Sequence, residues 1–142
     1  MRNAVVIIGG GMMGSGIAAV SALSFNRTII VDITSAQAQA GIERAVSCMN
    51  ELAAHELVSE KEVEEAAKLL ESASHMEKAL EAASLVIEAV TENLSLKQEL
   101  FRKLDELLPA EIPILSNTSG LRITEIAEQM KRPERAFTAH FW

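Results

Sequence analysis

Three glycines, Gly9, Gly11 and Gly14, follow the apolar run Ala4-Val5-Val6-Ile7-Ile8 and carry the spacing G-x-G-x-x-G. The chemistry open to such a turn is holding a pyrophosphate. Gly9 lets the chain leave a strand sharply, and Gly11 lets backbone approach phosphates with no Cβ in the way. Gly14 lets the following helix lie close to the sheet. Gly10, Met12 and Met13 complete the turn, and amides at this helix N-terminus face the anion along the positive end of the dipole. Three spaced glycines alone equally describe a flexible turn before a core helix, so their partners matter. Asp32 ends a second apolar run, Thr28-Ile29-Ile30-Val31. It lies about twenty residues past the last glycine, where a carboxylate can accept hydrogen bonds from both ribose hydroxyls of an adenosine.

Other reactive side chains fall at corresponding places. The apolar run Ser84–Val90 ends in Ala89 and Val90 and leads into Thr91-Glu92-Asn93, with Lys97 one turn into the next helix. Pro113–Ser116 leads into Asn117-Thr118-Ser119-Gly120, and Ala136–Phe141 carries His140. In an open parallel sheet ligands bind beyond the carboxyl ends of the strands, and each of these ends presents a polar or ionisable group. Imidazole changes charge nearest neutral pH, which suits His140 to general-base work. Read singly, each residue has a plainer role as well. His140, beside Phe137, Phe141 and Trp142, is also a strand-end structural histidine, and Ser119 a turn serine. Glu92 or Asn93 starts a helix, Lys97 is a solvated helix lysine, and Met12 and Met13 pack. His55 and His75 read as surface residues.

The elements that must position these groups alternate. Met12–Leu23 is Ala-rich and proline-free, and Gly14, Ala18 and Ala22 recur every fourth residue as a smooth packing face. After Asp32, a helix capped by Thr34 or Ser35 runs from Ala36 to about His55. A second helix starts at Ser59, where Ser59-Glu60-Lys61-Glu62 fits a capping box, and runs to about Leu70. Ile42, Val46, Met49 and Leu52 on the first, and Val63, Ala66, Ala67 and Leu70 on the second, form apolar stripes. One helix would suffice for a crossover, so the second is an excursion open to a substrate or partner. A short strand over Glu71–Ala73, a helix over Met76–Ala83, the strand Ser84–Val90 and a helix over Leu94–Leu108 follow. The strand Pro113–Ser116, a helix over Ile123–Met130 and the strand Ala136–Phe141 close the chain. This rhythm predicts an α/β fold, a doubly wound, mainly parallel, Rossmann-like sheet with a helical hairpin excursion after the second strand.

With 142 residues, 49% of them apolar, and a mean hydropathy of +0.16, the chain suits one folded domain over 1–142. A net charge of −7 and a pI near 5.0 exclude the basic stripe that nucleic acid binding requires. No run approaches the ~18 apolar residues of a membrane span. The single Cys48 fits a reducing compartment, and a cytoplasmic location is expected. Asp32 would repel a 2′-phosphate, and neither Ile33 nor Thr34 supplies an arginine to offset it, so NAD is preferred over NADP.

Taken together these stretches resemble the N-terminal domain of the L-3-hydroxyacyl-CoA dehydrogenases. The likeness rests on Val6–Ala18 with its glycines, on Leu85-Val86-Ile87-Glu88-Ala89-Val90-Thr91-Glu92-Asn93-Leu94 and on Leu96-Lys97. It continues with Ser116-Asn117-Thr118-Ser119 and Arg132-Pro133-Glu134-Arg135 through His140-Phe141. The resemblance implies that His140 is the base for the 3-hydroxyl proton and that Ser119 hydrogen-bonds the reacting oxygen beside the nicotinamide. It implies that Glu92 and Lys97 line the NAD site and that the helical hairpin touches coenzyme A. An acyl-CoA is then the substrate in the parent enzyme. The family's helical C-terminal domain, which completes the acyl site and pairs two copies as a homodimer, lies outside this sequence. So does a glutamate that orients the histidine. The chain is thus expected to bind NAD and turn over little by itself. Phe25 stands where the family carries glycine, and Asn26, tolerant of positive φ, is expected to make that turn. Two other readings stay open: a non-catalytic NAD-binding sensor or partner module, and a hydroxyacid dehydrogenase with a non-CoA substrate.

Overall fold

A computed structural model describes residues 1–142. Six strands form one sheet: β1 (Ala4–Ile8), β2 (Arg27–Val31), β3 (Leu70–Ala73), β4 (Ala83–Glu88), β5 (Ile114–Ser116) and β6 (Ala136–Thr138). All pair in parallel in the order β3-β2-β1-β4-β5-β6. The order reverses at β1 and β4, so the crevice beyond their carboxyl ends is the topological switch point. Every residue of β1 is buried, because the strand has covered neighbours on both faces. Val6 and Ile8 point into one core with Val86, Phe101, Leu104 and Ile114. Val5 and Ile7 point into the other with Ile17, Ala18, Ile30 and Met49.

The second core is roofed by α1 (Met12–Leu23), α2 (Ser35–Ala54) and α3 (Glu60–Ala67). Thr34 caps α2, its side chain accepting the Gln37 N–H at 3.1 Å, and Ser59 and Glu62 close the capping box of α3. The hairpin is present, but α3 is not free-standing: Val63 and Ala66 are buried among α1 and α2 residues. The buried stripe of α2 is Ala38, Gly41, Ala45 and Met49, with Ile42 and Val46 only half-buried. These small residues let α2 approach the glycine turn, where a Cβ on Gly41 would lie 3.1 Å from the Gly10 Cα.

The first core lies under α4 (Met76–Leu80), α5 (Leu94–Leu107) and the single turn α6 (Ile123–Ile126). Several ends are shorter than the pattern predicts. Leu70 and Ala83 join strands, not helices. The segment after Ile126 continues as tight turns, with the Glu128 N–H on Glu125 and the Met130 N–H on Ala127, before Asp105 captures the Lys131 and Arg132 N–H groups. The last strand stops at Thr138, placing His140 past its end. The turn before β2 also differs. Phe25 itself adopts the left-handed conformation, at φ 63°, while Asn26 uses its amide group to donate to the Ser21 and Ser24 carbonyls at the end of α1. No helix is long and apolar enough to cross a membrane.

Candidate active site

At the carboxyl end of β1, Gly9 sits at φ 101°, and a Cβ there would lie 2.6 Å from the Ala89 carbonyl oxygen. A Cβ on Gly14 would lie 1.8 Å from the Gly9 oxygen, so α1 could not start here with any larger residue. Gly11 differs: beyond its own chain neighbours, nothing lies within 4 Å of its Cβ position. The space it leaves is open, as an approaching phosphate requires. Gly11 is also the N-cap of α1, no side chain caps that terminus, and no acidic residue occupies its first turn. The residues present therefore fit a dinucleotide pyrophosphate.

The turn is held from outside. The Asp32 Oδ2 accepts the Gly10 N–H at 2.8 Å and its Oδ1 accepts the Ile33 N–H at 2.7 Å. A carboxylate accepts about four hydrogen bonds, so two remain for ribose hydroxyls. The Gly10 carbonyl accepts the Arg44 Nη2 at 2.5 Å and the Ser15 hydroxyl at 3.0 Å. Arg44, from α2, was not legible as a neighbour of the turn. Met12 and Met13 are exposed around it instead of packing.

Across the switch point, Val90, Glu92, Lys97, Ser119 and His140 line one cavity of about 360 Å³ with Met13, Ala89, Asn117, Phe141 and Trp142. Beneath them lies Glu88, the last residue of β4, fully buried and missed as a site residue. Its Oε1 accepts the Val90 N–H at 2.8 Å and Lys97 Nζ at 2.9 Å, and its Oε2 accepts the Ser116 hydroxyl at 2.5 Å. Lys97 is therefore not solvated; its side chain is only 2% exposed. It reaches down to Glu88 and across to Glu92 at 3.5 Å. Glu92 takes the Thr118 hydroxyl at 2.6 Å and the Ser119 N–H at 3.3 Å, while Asn93 caps α5 through the Leu96 N–H. Partial burial pushes the Glu92 carboxyl up, but the Thr118 and Ser119 hydrogen bonds and the Lys97 charge outweigh it, holding it below the usual carboxylate range.

His140 is exposed, its ring 6.0 Å from that of Trp142. Its backbone neighbours are fixed: the Ala139 N–H donates to the Ser116 carbonyl at 2.9 Å and the Phe141 N–H to Asn117 Oδ1 at 2.8 Å. No ion pair orients the imidazole. A second cavity, about 400 Å³, lies away from the glycine turn and is lined by Arg27, Glu71, His75 and Lys78. It shares no residue with the groups above.

This fold and this switch-point crevice define a dinucleotide-binding domain of the parallel α/β type. The chain belongs to the 3-hydroxyacyl-CoA dehydrogenase NAD-binding domain family, whose pattern matches residues 4–142. NAD is accordingly its cofactor. It is 35% identical over 143 residues to the mitochondrial hydroxyacyl-coenzyme A dehydrogenase of Mus musculus, covering 97% of this chain and 46% of that protein. It is 36% identical over 137 residues to a probable 3-hydroxybutyryl-CoA dehydrogenase of Bacillus subtilis (strain 168), covering 96% of this chain and 47% of that protein. The crystal structure of 3-hydroxybutyryl-CoA dehydrogenase from Escherichia coli K12 superposes with a TM-score of 0.91 at 34% identity, over 100% of this chain and 30% of that one. The chain thus spans about half the length of the mouse and Bacillus relatives.

Proposed function

We propose that this domain serves an NAD-dependent oxidoreductase interconverting 3-hydroxyacyl-CoA and 3-oxoacyl-CoA. Ser119, Glu92, Lys97 and His140 meet at one cavity beside the glycine turn, and that convergence carries the reading. The α1 amides would hold the pyrophosphate and Asp32 the adenosine ribose, with Ala89 and Val90 flooring the cleft. Bound NAD supplies the hydride acceptor. His140 takes the proton of the 3-hydroxyl, and the Ser119 hydroxyl holds the same oxygen by a hydrogen bond. A sensor module needs neither group, which favours catalysis. An imidazole with no orienting partner holds its tautomer and direction poorly. The 142-residue chain should therefore bind NAD and reduce acetoacetyl-CoA slowly or not at all. The same reading includes a helical region beyond Trp142 that completes the acyl site and pairs two copies, and a cytoplasmic location. Fluorescence titration with NADH and NADPH is the first test: tighter NADPH binding would contradict the role of Asp32, and binding of neither would remove the whole reading. Rapid turnover by this chain alone would show that His140 needs no further partner.

A further inference from the structure

The carboxylates below the cavity are surrounded by hydrogen-bond donors. The Ser116 hydroxyl lies 2.5 Å from Glu88 Oε2, and its oxygen also accepts the Thr118 N–H at 3.2 Å. Glu88 Oε1 accepts from Val90 and Lys97. A backbone amide and an amine that can only donate thus converge on one oxygen of Glu88, an arrangement suited to a carboxylate acceptor. Glu92 repeats the arrangement. The Thr118 hydroxyl, which accepts the Leu121 N–H at 3.0 Å, lies 2.6 Å from Glu92 Oε1, while Glu92 Oε2 accepts the Ser119 N–H. Two carboxylates thus share one ammonium, Lys97, at 2.9 and 3.5 Å. The cluster holds one unbalanced negative charge. Glu88 and Lys97 are shut away from solvent, while the Glu92 side chain is 43% exposed and lines the cavity, so the excess charge faces the cavity.

The oxidised nicotinamide ring carries a positive charge that the reduced ring lacks. We propose that the Glu88–Lys97–Glu92 cluster is a fixed electrostatic bias under the cavity that favours the oxidised cofactor over the reduced one. This rests on the reading that the nicotinamide end of NAD occupies this cavity. The cluster needs no contact with the ring, because a charge on the wall of a cavity acts over several ångströms.

The test is the pair of dissociation constants for NAD+ and NADH, by calorimetry or fluorescence, on the 142-residue chain and three variants. Glu88→Gln and Glu92→Gln each remove the excess charge. Each should weaken NAD+ relative to NADH by roughly three- to tenfold, the range expected for one charge acting over ~10 Å through an intermediate dielectric. Ser116→Ala breaks a hydrogen bond in the same cluster but keeps its charge, and should leave the ratio unchanged even if both forms bind less well. Glu92 is half-exposed, so Glu92→Gln decides the matter if Glu88→Gln fails to fold. An unchanged ratio in the folded glutamine variants would overturn the proposal while leaving NAD binding intact. So would a Ser116→Ala shift as large as theirs. Failure of the unaltered chain to bind either form would instead overturn the functional reading beneath it.

Discussion

Two buried acids stand at opposite edges of one sheet, and they are partnered differently. At the amino edge Asp105, on the last turn of α5, meets Arg132 at 3.1 Å and Arg135 at 2.7 Å. It also accepts the Lys131 and Arg132 N–H groups at 2.6 and 3.2 Å. The two guanidiniums go on to the carbonyls of Asp105, Leu108, Pro109 and Ile112 that end α5 and lead into β5. Both Asp105 oxygens and all three nitrogens of the buried Arg135 guanidinium are spent on protein, and one acid is matched by two cations. At the carboxyl edge Glu88 and Glu92 share a single lysine, and the Glu92 side chain stays 43% exposed on a cavity. A saturated cluster locks three segments and positions the start of β6. An unsaturated one leaves acceptors and charge facing a ligand. The contrast teaches that pairing by itself does not separate scaffold from site; what remains unpaired does.

The sharpest way to break the comparison is to empty each edge in turn. In the full-length enzyme, His140→Ala should cut turnover by roughly 10²–10⁴, the usual worth of a general base, with NAD affinity and melting temperature nearly unchanged. Steady-state kinetics would show it, and unaltered turnover would return His140 to a structural role. Asp105→Ala should do the reverse. Two guanidiniums lose their buried partner, so unfolding free energy should fall by roughly 3–5 kcal/mol, while the folded fraction keeps its NAD affinity. Denaturant titration with and without NAD separates the two effects.

A gentler test uses pH. Burial pushes the Asp105 carboxyl up, but the Arg135 hydrogen bond, the Lys131 and Arg132 amides and the Arg135 charge together hold it below the usual range. Its pKa is thus lower folded than unfolded, and between the two values the unfolded chain binds the extra proton. The stabilisation is complete above the ordinary carboxyl value of about 4 and is lost as pH falls through the depressed one. Asp105→Asn should flatten part of the acid limb of the stability curve, measured by urea melts between about pH 2 and 5. The smallest effect lies outside both edges. Phe25 is exposed and left-handed, so Phe25→Gly should raise stability by about 1 kcal/mol through relief of backbone strain, visible as a higher melting temperature. A lower one would mean that the ring contributes packing.

The difference between the edges also marks what was legible. The glycine spacing, Asp32, the Ser59 capping box and the strand–helix rhythm are local, set by residues within a few positions of one another. From them the parallel sheet and the side of it that binds follow. Lys97 could not be placed this way. A lysine on the first turns of a helix is solvated unless something below it demands a cation, and that something is Glu88, nine residues earlier on a strand. Phe25 misled for a related reason: Asn26 has the intrinsic preference for positive φ, but its side chain is needed on the α1 carbonyls, so the strain falls on its neighbour.

Sequence alone therefore determined the cofactor-binding architecture, because turn chemistry and hydrophobic periodicity are short-range properties that survive in any context. It also placed polar groups at the strand ends, since each strand announces its own end. Only the tertiary structure decided which of them converge, that α3 packs onto α1, and that one acid cluster is closed while the other faces a cavity. Those outcomes depend on partners far apart in the chain, such as Glu92 with Thr118, 26 residues on, or Asp105 with Arg135, 30 residues on, brought together by packing that no local pattern encodes.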